Sequence, residues 1–203
     1  DKIGAIVLLQ NVTELRRRDR ELVTKDATIR EIHHRVKNNL AVISGLFDLQ
    51  LMYDNDPHLK EVLSNAKNRI KSMSLIHESL YHESNVSKIN LKNYIETLVK
   101  EVAKTHVSKA TANLIFSLEE IHLDLSQAIP CGLIINEVIS NCFKHAFDTT
   151  SNPTISISIR QREKIELSIK DNGKGFETEC AQNQNSLGIT LVEALTKQLD
   201  GQF

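Results

Sequence analysis

The sequence predicts an α+β chain: a long antiparallel helical hairpin followed by a segment of mixed helices and strands. Three observations carry that expectation. From about Glu14 to Tyr53 there is no proline and one interior glycine, Gly45, while Ile29, Ile32, Val36, Leu40, Ile43 and Phe47 recur three or four apart. That spacing is one buried stripe on a helix. Asp54-Asn55-Asp56-Pro57 interrupts it, and Val62, Leu63, Ile70, Met73, Ile76 and Leu80 repeat the pattern to about His82. Beyond Ser84-Asn85, stretches of period two alternate with further helical ones.

The elements are read in chain order. Lys2 to Gln10 is β-branched and apolar, with nothing before it to pair with, and so looks like the last strand of an upstream domain. Asn11-Val12-Thr13 supplies capping residues for the long helix. The two long helices form a hairpin that leaves much of its stripe uncovered, so pairing into a four-helix bundle as a homodimer is its natural completion. Leu91 to His106 reads as a helix, Ala112 to Leu118 and Ile121 to Leu125 as extended. Ile129 to Phe147 is an apolar helix with Pro130 expected in its first turn. Thr154 to Arg160 and Lys164 to Lys170 alternate around a Gln-Arg-Glu turn, as a hairpin does. Leu187 to Leu199 is a last helix, and a further strand is expected to start near Gly201.

Composition narrows the function. With 203 residues, 40% hydrophobic and 25% charged, the chain has room for one large or two small globular domains. Arg16, Arg17, Arg18 and Arg20 cluster, but no aromatics interleave and no groove-reading motif follows, so nucleic acid is not an expected partner. Cys131, Cys142 and Cys180 make neither a CxxC pair nor an even set, which fits reduced thiols and a cytoplasmic setting. No apolar run reaches the roughly 18 residues of a membrane span.

Four stretches carry chemistry. In Glu31-Ile-His-His-Arg-Val-Lys-Asn-Asn-Leu40, about 100° per residue places His34 opposite the buried stripe and His33 on its flank. Asn38, Ala41 and Gly45 share the outward face of His34. In Ile134-Ile-Asn-Glu137-Val-Ile-Ser-Asn141-Cys-Phe-Lys144-His145, Glu137, Asn141 and Lys144 lie along one helix face. They offer a carboxylate, a neutral oxygen for a hard cation such as Mg²⁺, and a positive charge for phosphate. In Ile169-Lys-Asp171-Asn-Gly173-Lys-Gly175, a carboxylate ending a strand can accept from an amino group such as adenine N6, and the glycines let backbone pass close to a ligand. In Asn185-Ser-Leu187-Gly188-Ile, a glycine opens a helix whose free N–H groups suit a phosphate. The polar segment between Gly175 and Ser186 reads as a lid. Each stretch alone is also an ordinary amphipathic helix, turn or cap.

In this order the four stretches resemble the phosphoacceptor box and the N, G1 and G2 boxes of sensor histidine kinases with a GHKL (Bergerat) ATPase domain. The subgroup resembled carries His-Arg-x-Lys-Asn-Asn-Leu, as His34-Arg-Val-Lys-Asn-Asn-Leu40 reads here. The start of the chain resembles the exit from a PAS domain. The resemblance implies three parts: residues 1–13 as that terminal strand, 14–86 as the dimerisation and phosphotransfer hairpin, and 87–203 as an α/β sandwich of GHKL type, incomplete at its end. It implies ATP and Mg²⁺ as cofactors and His34 as phosphoacceptor. It makes Asn141 the Mg²⁺ ligand, with Glu137 beside it as candidate base or water orienter. Lys144 and His145 fall near the phosphates, Asp171 on the adenine amino group with Gly173 and Gly175 shaping its pocket, and Leu187-Gly188 over the phosphates. The implied partner is the receiver domain of a response regulator, whose aspartate takes the phosphoryl group. Asn38 stands where some members use an amide to dephosphorylate that regulator; packing against the approaching ATP domain is the other role open to it. Arg35 follows His34 where the commonest kinases carry an acidic residue, so the base activating His34 is not evident. The alternatives are a GHKL protein that phosphorylates a partner serine and a non-catalytic signalling scaffold.

Overall fold

A computed structural model describes residues 13–82, 88–106, 111–148, 150–175 and 187–203. The expected opening strand, the Gly175–Ser186 lid (but for its first residue) and Cys180 lie outside the described residues.

Helix α1 runs Thr13–Tyr53 and α2 Pro57–His82, antiparallel partners joined where Asp54 and Asp56 side chains accept from backbone N–H groups two residues on. Pro57 opens α2 where no N–H is required. Besides the stripe, Lys37 and Glu78 tie the helices at 2.8 Å, and Lys67 pairs with Asp48. The stripe is only partly covered: Ile29 is 36%, Ile32 52% and Ile43 41% exposed. Among the described residues no helix is long and apolar enough to cross a membrane.

The rest is α/β. Strand β1 (Lys88–Asn90) pairs antiparallel with β3 (His122–Asp124). A second sheet has the order β2-β4-β5, with β2 (Asn113–Leu118) parallel to β4 (Thr154–Gln161) and β5 (Ile165–Asp171) antiparallel to it. Period-two patterning puts Ile155, Ile157 and Ile159 of β4 wholly inside. There they join Ile95 and Val99 of α3 (Leu91–Thr105) and Ile135 and Ile139 of α4 (Leu125–Asn141) in one core. Helix α5 (Leu187–Gln198) packs on α4. Ile76 of α2 belongs to the same core and Leu75 packs against it, so the packing runs from the hairpin into the α/β part.

Two expectations are corrected, and one strand went unread. The α4 helix starts four residues earlier than read, so Pro130 sits in its second turn and cannot donate to the Ser126 carbonyl. It also stops being an α-helix at Asn141: Cys142–Ala146 is a π-helical turn. Strand β1 went unread because three residues are too few to show a period.

Candidate nucleotide and phosphoacceptor sites

On α1, His34 is exposed, as are Asn38, Ala41 and Gly45, whereas His33 is half-buried. His33 turns to α2, where its Nδ1 lies 2.9 Å from Nδ1 of the buried His77. One ring must give the N–H and the other the lone pair. Burial pulls both pKa values down, and His33 pulls that of His77 further. The helix thus separates two adjacent histidines into a packed one and one that faces outward.

On α4, Glu137 is buried and meets both arms of Arg69 from α2, Nε to Oε1 at 2.7 Å and Nη2 to Oε2 at 3.0 Å. The hydrogen bond to Glu137 raises the pKa of the Arg69 guanidinium. A carboxylate gripped at both oxygens is an ion-pair partner, not an open base. One turn on, the partly exposed Asn141 makes no side-chain hydrogen bond among the described residues, leaving its amide oxygen available to a cation. Lys144, in the π turn, donates to Asn65 Oδ1 at 2.6 Å and lies 3.7 Å from Glu61, both on α2. His145 is exposed beside it.

Asp171 closes β5. Its Oδ1 accepts from the Gly173 N–H at 2.9 Å, and its Oδ2 faces the Cys142 thiol at 3.5 Å, a partner 29 residues away in sequence. Burial, and then the carboxylate itself, pushes the Cys142 pKa to about 12, so the sulfur remains a donor. Gly173 is required by the same junction. A Cβ there would lie 2.4 Å from the Ala146 carbonyl oxygen, which accepts from Lys174 N–H at 3.0 Å. Gly175 has φ +74°, a left-handed conformation. The π turn, a feature common at functional sites, therefore docks on the turn after β5 through Cys142 and Ala146, with Asn141 just before it and Lys144 within it. Leu187, exposed, and the half-buried Gly188 open α5, so their N–H groups head a helix packed on α4.

These residues fit an adenine nucleotide with Mg²⁺. An anchored carboxylate offers acceptors to an amino group, and a helix start offers N–H groups to phosphate. Among the described residues no group of three His, Cys, Asp or Glu side chains could hold a metal alone. A lone amide oxygen suits Mg²⁺, which takes few protein ligands and completes its shell with water and phosphate. Sequence reasoning missed Glu61, Asn65, Arg69 and Cys142. The α2 residues carry no local signal for contacts to α4; the cysteine directly follows Asn141 and was read only as a reduced thiol.

Residues 31–106 match the family model described as histidine kinase, and residues 127–203 match that of the histidine kinase-, DNA gyrase B-, and HSP90-like ATPases. The sensor histidine kinase PdtaS of Mycolicibacterium smegmatis is 32% identical over 98% of this chain and 40% of its own length. The blue-light-activated histidine kinase 2 of Erythrobacter litoralis is 22% identical over 88% of this chain and 53% of its length. The chain spans about two fifths of the PdtaS relatives it matches. A solved blue-light activated histidine kinase from Erythrobacter litoralis superposes with TM-score 0.64 at 20% identity, over 86% of this chain and 53% of that one. Its histidine kinase domain alone gives 0.59 at 19%, over 85% and 81%. The fold is therefore that of a histidine kinase domain: a helical N-terminal region followed by an α/β ATPase domain.

Proposed function

We propose that this chain, a histidine kinase by residues 31–106 and a histidine kinase-, gyrase B- and HSP90-like ATPase by residues 127–203, binds ATP with Mg²⁺ and moves the γ-phosphoryl group onto its own His34. The observation that carries this reading is the junction of the π turn with the turn after β5. It ties the end of α4, where Asn141 precedes the π turn that carries Lys144, to an Asp171 already held by Gly173 N–H and the Cys142 thiol.

Each residue then has a task. Asp171 accepts from the adenine amino group, and Gly173 lets the turn after β5 close on Ala146 while its N–H holds that carboxylate. Asn141 would hold Mg²⁺, which when bound offsets phosphate charge. Lys144 and the N-terminus of α5 take up the remaining charge, the larger part of what phosphoryl transfer asks of a protein. His34 presents its imidazole from an exposed helix face and would attack the γ-phosphorus in line, with ADP as the leaving group. The phosphohistidine would pass its phosphoryl group to an aspartate of a response regulator. The exposed part of the α1 stripe supports a homodimer in which two hairpins make a four-helix bundle.

Incubation with γ-labelled ATP followed by mapping of an acid-labile label tests this. His34→Gln is expected to abolish labelling and His33→Gln to retain most of it. Label that persists in His34→Gln sinks the assignment.

A further inference from the structure

The α2 helix reaches into the nucleotide site with three side chains. Arg69 grips Glu137 at both oxygens, the pair being only 20% and 10% exposed at their side chains. One turn earlier Asn65 accepts from Lys144 at 2.6 Å, and another turn back Glu61 lies 3.7 Å from the same ammonium. These three positions, four residues apart, form one edge of α2. They meet the two charged groups of α4 and the π turn that would face the triphosphate of bound ATP.

We propose that Glu61, Asn65 and Arg69 form a latch that competes with nucleotide for Lys144 and Glu137. The inference rests on the ATP-binding reading of this site. Lys144 is the cation meant for phosphate, yet its ammonium is held by an amide and shadowed by a carboxylate that repels phosphate. Arg69 neutralises Glu137 and so removes the open carboxylate that a base or water orienter must present. The latch is coupled to the phosphoacceptor because α2 is tied to α1 by His33–His77 and Lys37–Glu78, immediately around His34. A shift of the hairpin that frees Lys144 therefore moves the acceptor histidine as well. Thermodynamic reciprocity follows: if breaking the latch tightens nucleotide, nucleotide must loosen the latch by the same factor.

The test is calorimetric titration of the chain with ATP·Mg²⁺ and ADP·Mg²⁺, in wild type, Glu61→Gln, Asn65→Ala and Arg69→Gln. The first two positions lie outside the nucleotide-binding set and at the less buried end of the contact, so they decide the matter where Arg69→Gln costs the fold by stranding Glu137. Several-fold tighter ATP in Glu61→Gln and Asn65→Ala is expected. So is faster amide exchange over residues 61–72 when ATP is added to wild type. Weaker binding in these variants makes the α2 residues supports of the site and overturns the latch. Unchanged binding makes the contact structural only and overturns the latch equally. Failure of wild type and variants alike to bind ATP removes the reading of the site itself, and the latch with it.

Discussion

Two alanine substitutions at glycines should move this protein in opposite directions. At Gly173 a Cβ would sit 2.4 Å from the Ala146 carbonyl oxygen and 2.5 Å from Ala146 Cβ, against an ordinary contact of 3.4 Å or more. The turn must withdraw by about 1 Å, and the obstacle is backbone that also accepts from Lys174 N–H. Overpacking of this kind costs about 1–3 kcal/mol, which in a chain of this size lowers Tm by roughly 2–12 °C. The same withdrawal pulls Asp171 and its Gly173 N–H partner from their place, and a loss of about 1.4 kcal/mol in binding is a tenfold loss in affinity. Gly45 is the control: nothing lies within 4 Å of its added Cβ. There alanine removes a helix-interior glycine, so a gain of about 0.5–1 kcal/mol is expected. Scanning calorimetry and ADP titration of both variants read the two effects. Gly173→Ala with wild-type Tm and wild-type ADP affinity refutes the close approach. A lowered Tm with unchanged ADP affinity keeps the approach and removes adenine from it.

Asp171→Asn should weaken ATP and ADP alike, by about 1–3 kcal/mol for a lost hydrogen-bond acceptor. Asn141→Ala should instead diminish the difference between titrations with and without Mg²⁺. Equal and wild-type affinities in both variants place the nucleotide elsewhere. The His33–His77 contact gives a pH dependence with a definite sign. Both folded pKa values lie below the ordinary 6.5, so the unfolded chain binds more protons below that pH. The pair's contribution is intact above about pH 6.5 and is lost as pH falls below it. Melting temperature between pH 7.5 and 5.5 should drop less in His77→Gln than in wild type, and parallel curves argue against it. Light scattering at tens of micromolar should give a dimer mass, because Leu46, Leu49, Met52 and Tyr53 are more than half exposed beside the partly covered stripe. A monomer mass removes the bundle.

What the sequence made legible was periodicity and punctuation. The hairpin helices end at Tyr53 and begin at Pro57, as read, because a long apolar repeat broken by Asp54–Pro57 leaves little else for the chain to do. Strands β4 and β5 came within one residue for the same reason. The helix containing Pro130 was started too late because proline at a first turn is the commoner placement and tertiary packing overrode it. The π turn had no signal, since it exists to meet the turn after β5, and that meeting is a fact of three dimensions. The same division runs through the site. Helical geometry placed His33 on the flank of the stripe and His34 outside it, and the structure keeps both there; it could not say that His33 would find His77 on the other helix. Likewise it put Glu137, Asn141 and Lys144 on one face, but which groups oppose that face depends on how α2 lies across α4. That packing turns Glu137 from an available carboxylate into the partner of Arg69, 68 residues away. Spacing identifies the groups that can do chemistry; tertiary contacts decide which of them are free to do it, and here the freedom of Lys144 and Glu137 depends on the hairpin that carries His34.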